Sequence, residues 1–191
     1  MGQDTRAYYT FYGINTDDWD ITYGTLTDNN YILVKDYVSD AASVASSSAW
    51  SSSGYIFLYP HHIKKKYFLE GVVEGQITFT SESGANTSFV SDYRVSILKI
   101  SSEAIETTLA TTGVVAVNSE FPYDSEWHTG TDIVYPFWID VYTEPKEITQ
   151  NERIAVKVEW DTNNSSSTTA YLMHDNDSTY EDLKIIIPLL L

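Results

Sequence analysis

The chain has 191 residues, which is enough for one domain with a sizeable hydrophobic core. Its 27 acidic and 11 basic side chains give a net charge of −16 at pH 7, so nucleic acid and anionic membrane surfaces are unfavourable partners. Cysteine is absent, which excludes disulfide bonds and thiolate metal sites.

The chain starts with MGQDTRAYYT, which lacks the charged and apolar regions of a signal peptide. The longest apolar run is far shorter than the roughly 20 residues that span a bilayer. We therefore expect no membrane segment and a protein that folds in a reducing compartment such as the cytoplasm.

The order of segments favours two parts. Residues 1–30 are rich in Asp, Asn, Gly and Tyr with weak periodicity, which predicts an N-terminal arm or a first hairpin. Residues 31–191 carry the strand-forming patterns and predict a single β-domain. Nine strands are expected there, at residues 31–38, 55–59, 69–80, 93–100, 105–117, 133–142, 153–160, 169–173 and 183–187.

Three of these strands have an informative alternation. Residues 69–80 and 153–160 each place apolar side chains on one face and charged side chains, such as Lys157 and Glu159, on the other. Residues 93–100 begin in the same way, but Leu98 and Ile100 fall out of phase, which predicts a bulge or a change of sheet.

Clusters of Ser, Asn, Asp and Gly separate the strands, and no helical pattern lies between them. Short strands joined by turns are typical of an antiparallel β-sandwich rather than of a parallel sheet. The predicted fold is therefore all-β: an antiparallel sandwich of the jelly-roll type with about eight to ten strands.

The sequence offers little for catalysis. Glu70 and Glu74 lie on one strand face but about 13 Å apart, too far for the paired carboxylates of a glycanase. None of the four histidines follows a G-x-S-x-G motif, and no cysteine can pair with them. The expectation is a protein that is not an enzyme.

The loop HDNDSTYED is a candidate metal site. Asp175, Asp177 and Asp182 supply the hard oxygen ligands that Ca²⁺ prefers. The loop lacks the EF-hand spacing, and the same residue types build ordinary turns, so a turn without metal is favoured over a Ca²⁺ site. No other cofactor is indicated.

The segment HHIKKKY concentrates three of the eleven basic residues, Lys64, Lys65 and Lys66. Lysines of this kind can protect a strand edge from unwanted pairing. They can equally dock on an acidic face of a second copy or of a partner, and the sequence leaves both interpretations open.

The C-terminal segment LKIIIPLLL is apolar on both faces. Residues 183–187 predict a final core strand, and Pro188 is expected to end its pairing. Ile186, Leu189, Leu190 and Leu191 are then expected to pack against sister copies, because a strand at the surface of a monomer needs only one apolar face.

Three segments, NERIAVKVEW, AYLMHD and DLKIIIP, together resemble the last strands of jelly-roll virion proteins of tailed phages and tailed archaeal viruses. This resemblance covers about the last 40 residues. It implies a structural protein that decorates or reinforces a capsid, made in the host cytoplasm and located in the virion. Its expected partners are itself, as a trimer, and the major capsid protein or another virion protein, with no cofactor.

The alternative function is a carbohydrate- or receptor-binding β-sandwich. Tryptophan side chains can offer flat faces to sugar rings, although most tryptophans of a sandwich belong to its core. The candidates are Trp19, Trp50, Trp127 and Trp138.

Overall fold

A computed structural model describes residues 6–15, 21–23, 26–29, 31–35, 43–47, 54–81, 90–116, 133–162, 170–174 and 183–191. The described residues form strands and turns without any helix, so the predicted all-β sandwich class is confirmed. The part of the chain that is described accordingly holds no helix able to span a lipid bilayer.

The described residues form sixteen strands, more than the sequence predicts because several are short. They are β1 (Ala7–Asn15), β2 (Ile21–Tyr23), β3 (Leu26–Asn29), β4 (Tyr31–Val34), β5 (Ser43–Ser47), β6 (Tyr55–Leu58), β7 (Tyr67–Leu69), β8 (Val72–Ser81), β9 (Val90–Ile100), β10 (Glu106–Thr111), β11 (Val115–Ala116), β12 (Ile133–Asp140), β13 (Lys146–Ile148), β14 (Arg153–Thr162), β15 (Ala170–His174) and β16 (Lys184–Leu190).

Fourteen strands belong to one sheet that curls round the core in the order β10-β9-β14-β6-β4-β1-β16-β8-β15-β5. β11, β12 and β7 pair with β9, β8 and β16, and β13 pairs with β7. All these pairs are antiparallel except β4 with β6, where Ile32 lies opposite Leu58. Within the predicted arm, β1 joins β4 and β16 in this sheet, while β2 and β3 form a separate pair.

The alternation predicted for β8 and β14 is confirmed, because the expected inward side chains lie in the main core. These are Val73, Ile77, Phe79, Ile154, Val156, Val158 and Trp160. The predicted single strand at residues 69–80 is divided at Gly71 into β7 and β8. Gly71 has φ +129°, a conformation that glycine adopts without steric cost.

An irregularity does lie opposite Leu98, in the pairing of β9 with β10, but β9 itself is regular. β9 pairs with β14 in unbroken register from Ile100 to Asp92, and its apolar residues simply occupy both faces. Leu98 and Ile100 belong to a second cluster on the opposite face from the main core, together with Ile56, Leu58 and Ala155. The bulge lies instead in the neighbouring strand β10.

Glu159 also departs from expectation. Predicted on the solvent face of β14, it is only 4% exposed, and its Oε2 accepts a hydrogen bond of 2.7 Å from Nε of Arg94. Nζ of Lys157 lies 3.5 Å from its other oxygen. Two basic partners compensate the loss of water around this carboxylate.

The expectation that Pro188 ends the last strand is wrong as well. The N–H of Gly13 donates to the carbonyl of Leu183 at 2.9 Å, so odd-numbered residues of the C-terminal strand turn their backbone groups towards β1. The missing N–H of Pro188 therefore faces the other side, where β16 changes its partner from β8 to β7 at Gly71. No ladder donor is needed there, and pairing continues through Leu189.

Candidate binding site

A cleft of about 830 Å³, open on one side, lies beside the main core. It is built from β1, the end of β6, the loop at residues 61–64, β7, the turn at residues 150–151, and single residues of β14 and β16. Its size falls within the range of small-ligand sites, which is about 300 to 1,000 Å³. Its aromatic lining consists of Tyr9, Phe11, Tyr59 and Tyr67.

The aromatic wall has a defined geometry. The rings of Phe11 and Tyr59 meet edge to face with centroids 5.2 Å apart. Nζ of Lys35 lies 4.8 Å from the centroid of Tyr9 and 5.7 Å from that of Tyr59, which is cation–π distance for both rings. Packing of this kind fixes the rings before any ligand arrives.

The loop at residues 61–64 is held by two backbone hydrogen bonds at its buried centre, Ile63. The Ile63 N–H donates to the Glu152 carbonyl at 2.8 Å, and the Asn151 N–H donates to the Ile63 carbonyl at 2.9 Å. Asn151 has φ +72°, a left-handed conformation that Asn tolerates better than most residues. The loop and the turn thus form one connected rim.

His62 joins the same rim through its ring. Nη2 of Arg153 lies 3.0 Å from Nε2 of His62, and since a guanidinium can only donate, Nε2 accepts. Nδ1 then carries the proton and donates to the Asn151 carbonyl at 2.8 Å. Both ring nitrogens are occupied by structural contacts, which gives His62 a positioning role.

The charge of the lining contrasts with that of the chain. Lys35 and Lys64 line the cleft, and among the described residues of the lining there is no carboxylate. The nearby Glu152 is bound to Nζ of Lys99 at 3.0 Å instead. Burial raises the pKa of Glu152, but hydrogen bonds from Thr149 and Lys99 outweigh it and hold the pKa below its ordinary value.

The three lysines of the HHIKKKY segment do not act as one group. Lys64 lines the cleft, whereas Lys65 is exposed outside its lining. Nζ of Lys66 lies 2.8 Å from a carboxylate oxygen of Glu147 and 4.9 Å from the ring centroid of Phe68. Docking of this segment on an acidic partner stays a prediction, and Lys66 already forms an ion pair with Glu147.

The predicted C-terminal interface residues are also separated. Leu189 is 4% exposed and belongs to the chain's own core, where it also lines the cleft. Ile186 and Leu190 are half-buried, and Leu191 is 63% exposed. Packing against sister copies therefore stays a prediction for Ile186, Leu190 and Leu191, whereas Leu189 is already buried by its own chain.

Asp175, Asp177 and Asp182, the candidate Ca²⁺ ligands, lie outside the described residues. Among the residues that are described, no group of three or more His, Asp or Glu side chains is arranged to hold a metal ion. Trp19, Trp50 and Trp127 also lie outside the described ranges.

The remaining candidates lie away from the cleft lining. Trp138 is 67% exposed on β12. Glu70 accepts a 3.3 Å hydrogen bond from Arg6, and Glu74 is exposed. None of the three lines the cleft.

The aromatic cleft itself was missed by the sequence analysis. The available signal is the alternation in AYYTFYG, which places Tyr9 and Phe11 on one face of a strand. Lys35, Tyr59 and Asn151 meet these rings only through long-range pairing of β1, β4, β6 and β14, which no local pattern reveals.

The sequence matches no protein-family model and no curated protein. The fold is similar to parts of solved structures. A CocE/NonD family hydrolase from Staphylococcus aureus has a TM-score of 0.60 at 16% identity, with 97% of this chain and 37% of the hydrolase covered. An aminopeptidase from a marine sediment archaeon, Thaumarchaeota archaeon, has a TM-score of 0.62 at 8% identity, with the same two coverages.

A structure of infectious bursal disease virus Gt strain matches at 14% identity, covering 97% of this chain and 57% of that one. Its TM-score is 0.33, too low to support any inference about fold. The chain spans 37% of the length of the hydrolase and of the aminopeptidase, and at these identities the likeness establishes the fold alone.

These neighbours correct one expectation. The sequence predicts a protein that is not an enzyme, and this prediction is wrong about the class of fold, because the structures that resemble the chain over 97% of its length are a hydrolase and an aminopeptidase. Fold is a weaker guide to activity than the site, since one architecture supports many functions. The fold of this chain is thus shared with parts of enzymes.

Proposed function

We propose that this chain is a carbohydrate-binding β-sandwich domain whose binding site is the aromatic cleft. The observation that carries the proposal is the wall of Tyr9, Phe11, Tyr59 and Tyr67 around about 830 Å³ of open space. An aromatic side chain combines a broad apolar face with, in tyrosine, a polar hydroxyl. Sugar rings have the matching combination of apolar C–H faces and hydroxyl groups.

The rim supplies the polar contacts that such a ligand needs. Gln150 and Asn151 are exposed at the cleft and can both donate and accept hydrogen bonds. His61 is exposed beside them, with its ring edge to face against Tyr59 at 5.3 Å. A few polar groups over an apolar floor are the usual composition of a small-molecule site.

The test is binding of the chain to an array of neutral and acidic glycans, with two adjacent tyrosines as a matched pair. Tyr9 faces the cleft, whereas Tyr8 points to the other side of β1 and is 61% exposed. Tyr9→Ala is expected to weaken binding by roughly tenfold, the effect of losing about 1 to 2 kcal/mol of ring contact, and Tyr8→Ala to leave it unchanged.

Absence of any bound glycan, or equal binding by the wild type and Tyr9→Ala, would overturn the proposal. Because the fold also occurs in a hydrolase and an aminopeptidase, the same glycans are incubated with the chain and examined for cleavage products. Cleavage lost in Tyr9→Ala would show that the cleft also acts on its ligand.

A self-associating protein of the virion surface is the second candidate, and one observation favours it. Trp138, Glu74 and Ile186 occupy directly opposed positions on β12, β8 and β16, on the outer face of the sheet. Trp138 is 67% exposed, and tryptophan is among the residues that are enriched at interface hot spots.

Sedimentation of the wild type and of Trp138→Ser tests this candidate. A trimer that Trp138→Ser converts to a folded monomer, together with binding to assembled capsids, would support it. A wild type that stays monomeric at about 100 µM, where any association stronger than roughly 5.5 kcal/mol would be visible, would refute it.

A further inference from the structure

The cleft is a positively charged site on a strongly negative protein. Two lysines line it, and none of the described residues in its lining is a carboxylate, although the chain has 27 acidic and 11 basic side chains. At physiological salt, charges more than about 8 Å away are largely screened. The side chains nearest the cleft therefore determine the sign of the electrostatic potential at a bound ligand. That sign is positive.

Lys35 holds its charge at a fixed place in the cleft. Its ammonium lies over Tyr9 at 4.8 Å and within 5.7 Å of Tyr59, yet Lys35 as a residue is exposed. Ring faces attract a cation without neutralising it. The side of the ammonium that faces away from the rings can therefore receive an anion.

Lys64 supplies the second charge, next to a backbone position that is held in place. It follows Ile63, which is 8% exposed and whose backbone is bound on both sides, to the Glu152 carbonyl and to the Asn151 N–H. Lys66 is paired with Glu147, whereas no ion pair joins Lys64 to a carboxylate within the described ranges. Lys64 is thus the lysine of its segment that is available at the cleft.

From this geometry we infer that the ligand of the cleft is an acidic sugar, whose carboxylate binds between Lys35 and Lys64 while its ring packs on the tyrosines. The inference rests on the proposed carbohydrate-binding function and adds the class of sugar. A carboxylate near two ammonium groups gains more than a neutral hydroxymethyl group at the same position.

Calorimetric titration with matched disaccharides tests the inference. Each pair consists of a neutral disaccharide of glucose, galactose or mannose and the same disaccharide with one ring oxidised to the uronic acid. At 50 mM salt the acidic member of at least one pair is expected to bind roughly five- to twentyfold more tightly, the size of two partly exposed ion pairs. The difference should shrink at 500 mM salt because the charges are screened.

Three single variants test which lysines bind the carboxylate of the ligand. Lys64→Gln is expected to weaken binding of the acidic ligand by roughly two- to fivefold and to leave binding of the neutral ligand unchanged. Lys35→Gln also removes the cation–π contacts of Tyr9 and Tyr59, so it is expected to weaken binding of both ligands, and that of the acidic ligand more. Lys65→Gln is the matched control, since Lys65 is exposed and adjacent but does not line the cleft. Lys64→Gln and Lys65→Gln are expected to keep the wild-type melting temperature because both residues are exposed, and Lys35→Gln to lower it slightly because its cation–π contacts are lost.

The outcomes separate this inference from the function on which it rests. Equal affinity for acidic and neutral members, with both lost in Tyr9→Ala, would overturn the acidic ligand and keep the carbohydrate site. An equal loss in Lys65→Gln and Lys64→Gln would overturn the assignment to the cleft. No binding of any disaccharide or arrayed glycan would overturn the carbohydrate site itself.

Discussion

Replacing Leu189 by Ala should destabilise the folded monomer, even though Leu189 lies only two residues before the C-terminal Leu191. Leu189 is 4% exposed, lies in the main core and pairs with Ala7 of β1 and Leu69 of β7. The matched variant Leu191→Ala changes the same side chain where it is 63% exposed. The pair therefore separates burial from position in the chain.

The size of the effect follows from the site. Leu→Ala removes the equivalent of about three methylene groups, worth roughly 2.4 kcal/mol of transfer free energy at about 0.8 kcal/mol each. Closed cavities add to this cost, but Leu189 also lines the open cleft, where water can enter the space. We expect a loss of about 2 to 3 kcal/mol for Leu189→Ala, and less than about 0.5 kcal/mol for Leu191→Ala.

Urea unfolding monitored by tryptophan fluorescence measures both variants, with the slope m checked for constancy. The corresponding fall in melting temperature is about 4 to 12 °C for a chain of this size. A loss below about 0.5 kcal/mol for Leu189→Ala, or an equal loss for Leu191→Ala, would refute the assignment of Leu189 to the core.

Two further predictions concern buried contacts. Burial raises the pKa of Glu159, but the hydrogen bond from Arg94 and the basic charges outweigh it and lower the pKa, so this carboxylate stabilises the fold above its unfolded pKa of about 4.3. Arg94→Met should therefore cost roughly 3 kcal/mol in urea unfolding at pH 7 and progressively less as the pH falls below about 4; a pH-independent cost would contradict this. Gly75→Ala should cost about 1 to 3 kcal/mol, because an added Cβ would lie 2.5 Å from both the Lys184 carbonyl oxygen and the Phe137 ring. Unchanged thermal unfolding of Gly75→Ala would show that both the ring and the backbone of β16 can move aside.

The core strands could be predicted because one physical rule determines them. A strand with one buried face alternates every two residues, and β8 and β14 follow this rule in Val73, Ile77, Val156 and Val158. The rule gives no information on whether the second face is also covered. Leu98 therefore looked like an irregularity, although it packs in a second cluster beyond a regular strand.

The site could be predicted only in fragments. Lys64 was selected as a charged residue, but its neighbours in sequence, Lys65 and Lys66, go to different places because the loop turns each side chain in a separate direction. Tyr9 and Lys35 come from distant segments, and only the pairing of β1 with β4 brings them to one cleft. Sequence spacing contains no information about such long-range register.

The covered second face of β9 and β14 has a consequence for motion. At Ala155 to Val158, β14 pairs with β9 on one side and with β6 on the other, and apolar clusters lie on both faces of the strand, so this part of β14 has no free edge. Amide protons in such a strand exchange with solvent only when the whole domain opens. The carbonyl of Ile154, at the start of β14, accepts a hydrogen bond of 2.8 Å from the Tyr59 N–H. This bond connects the wall of the cleft directly to β14. The floor of the cleft is thus expected to open only as slowly as the whole domain unfolds.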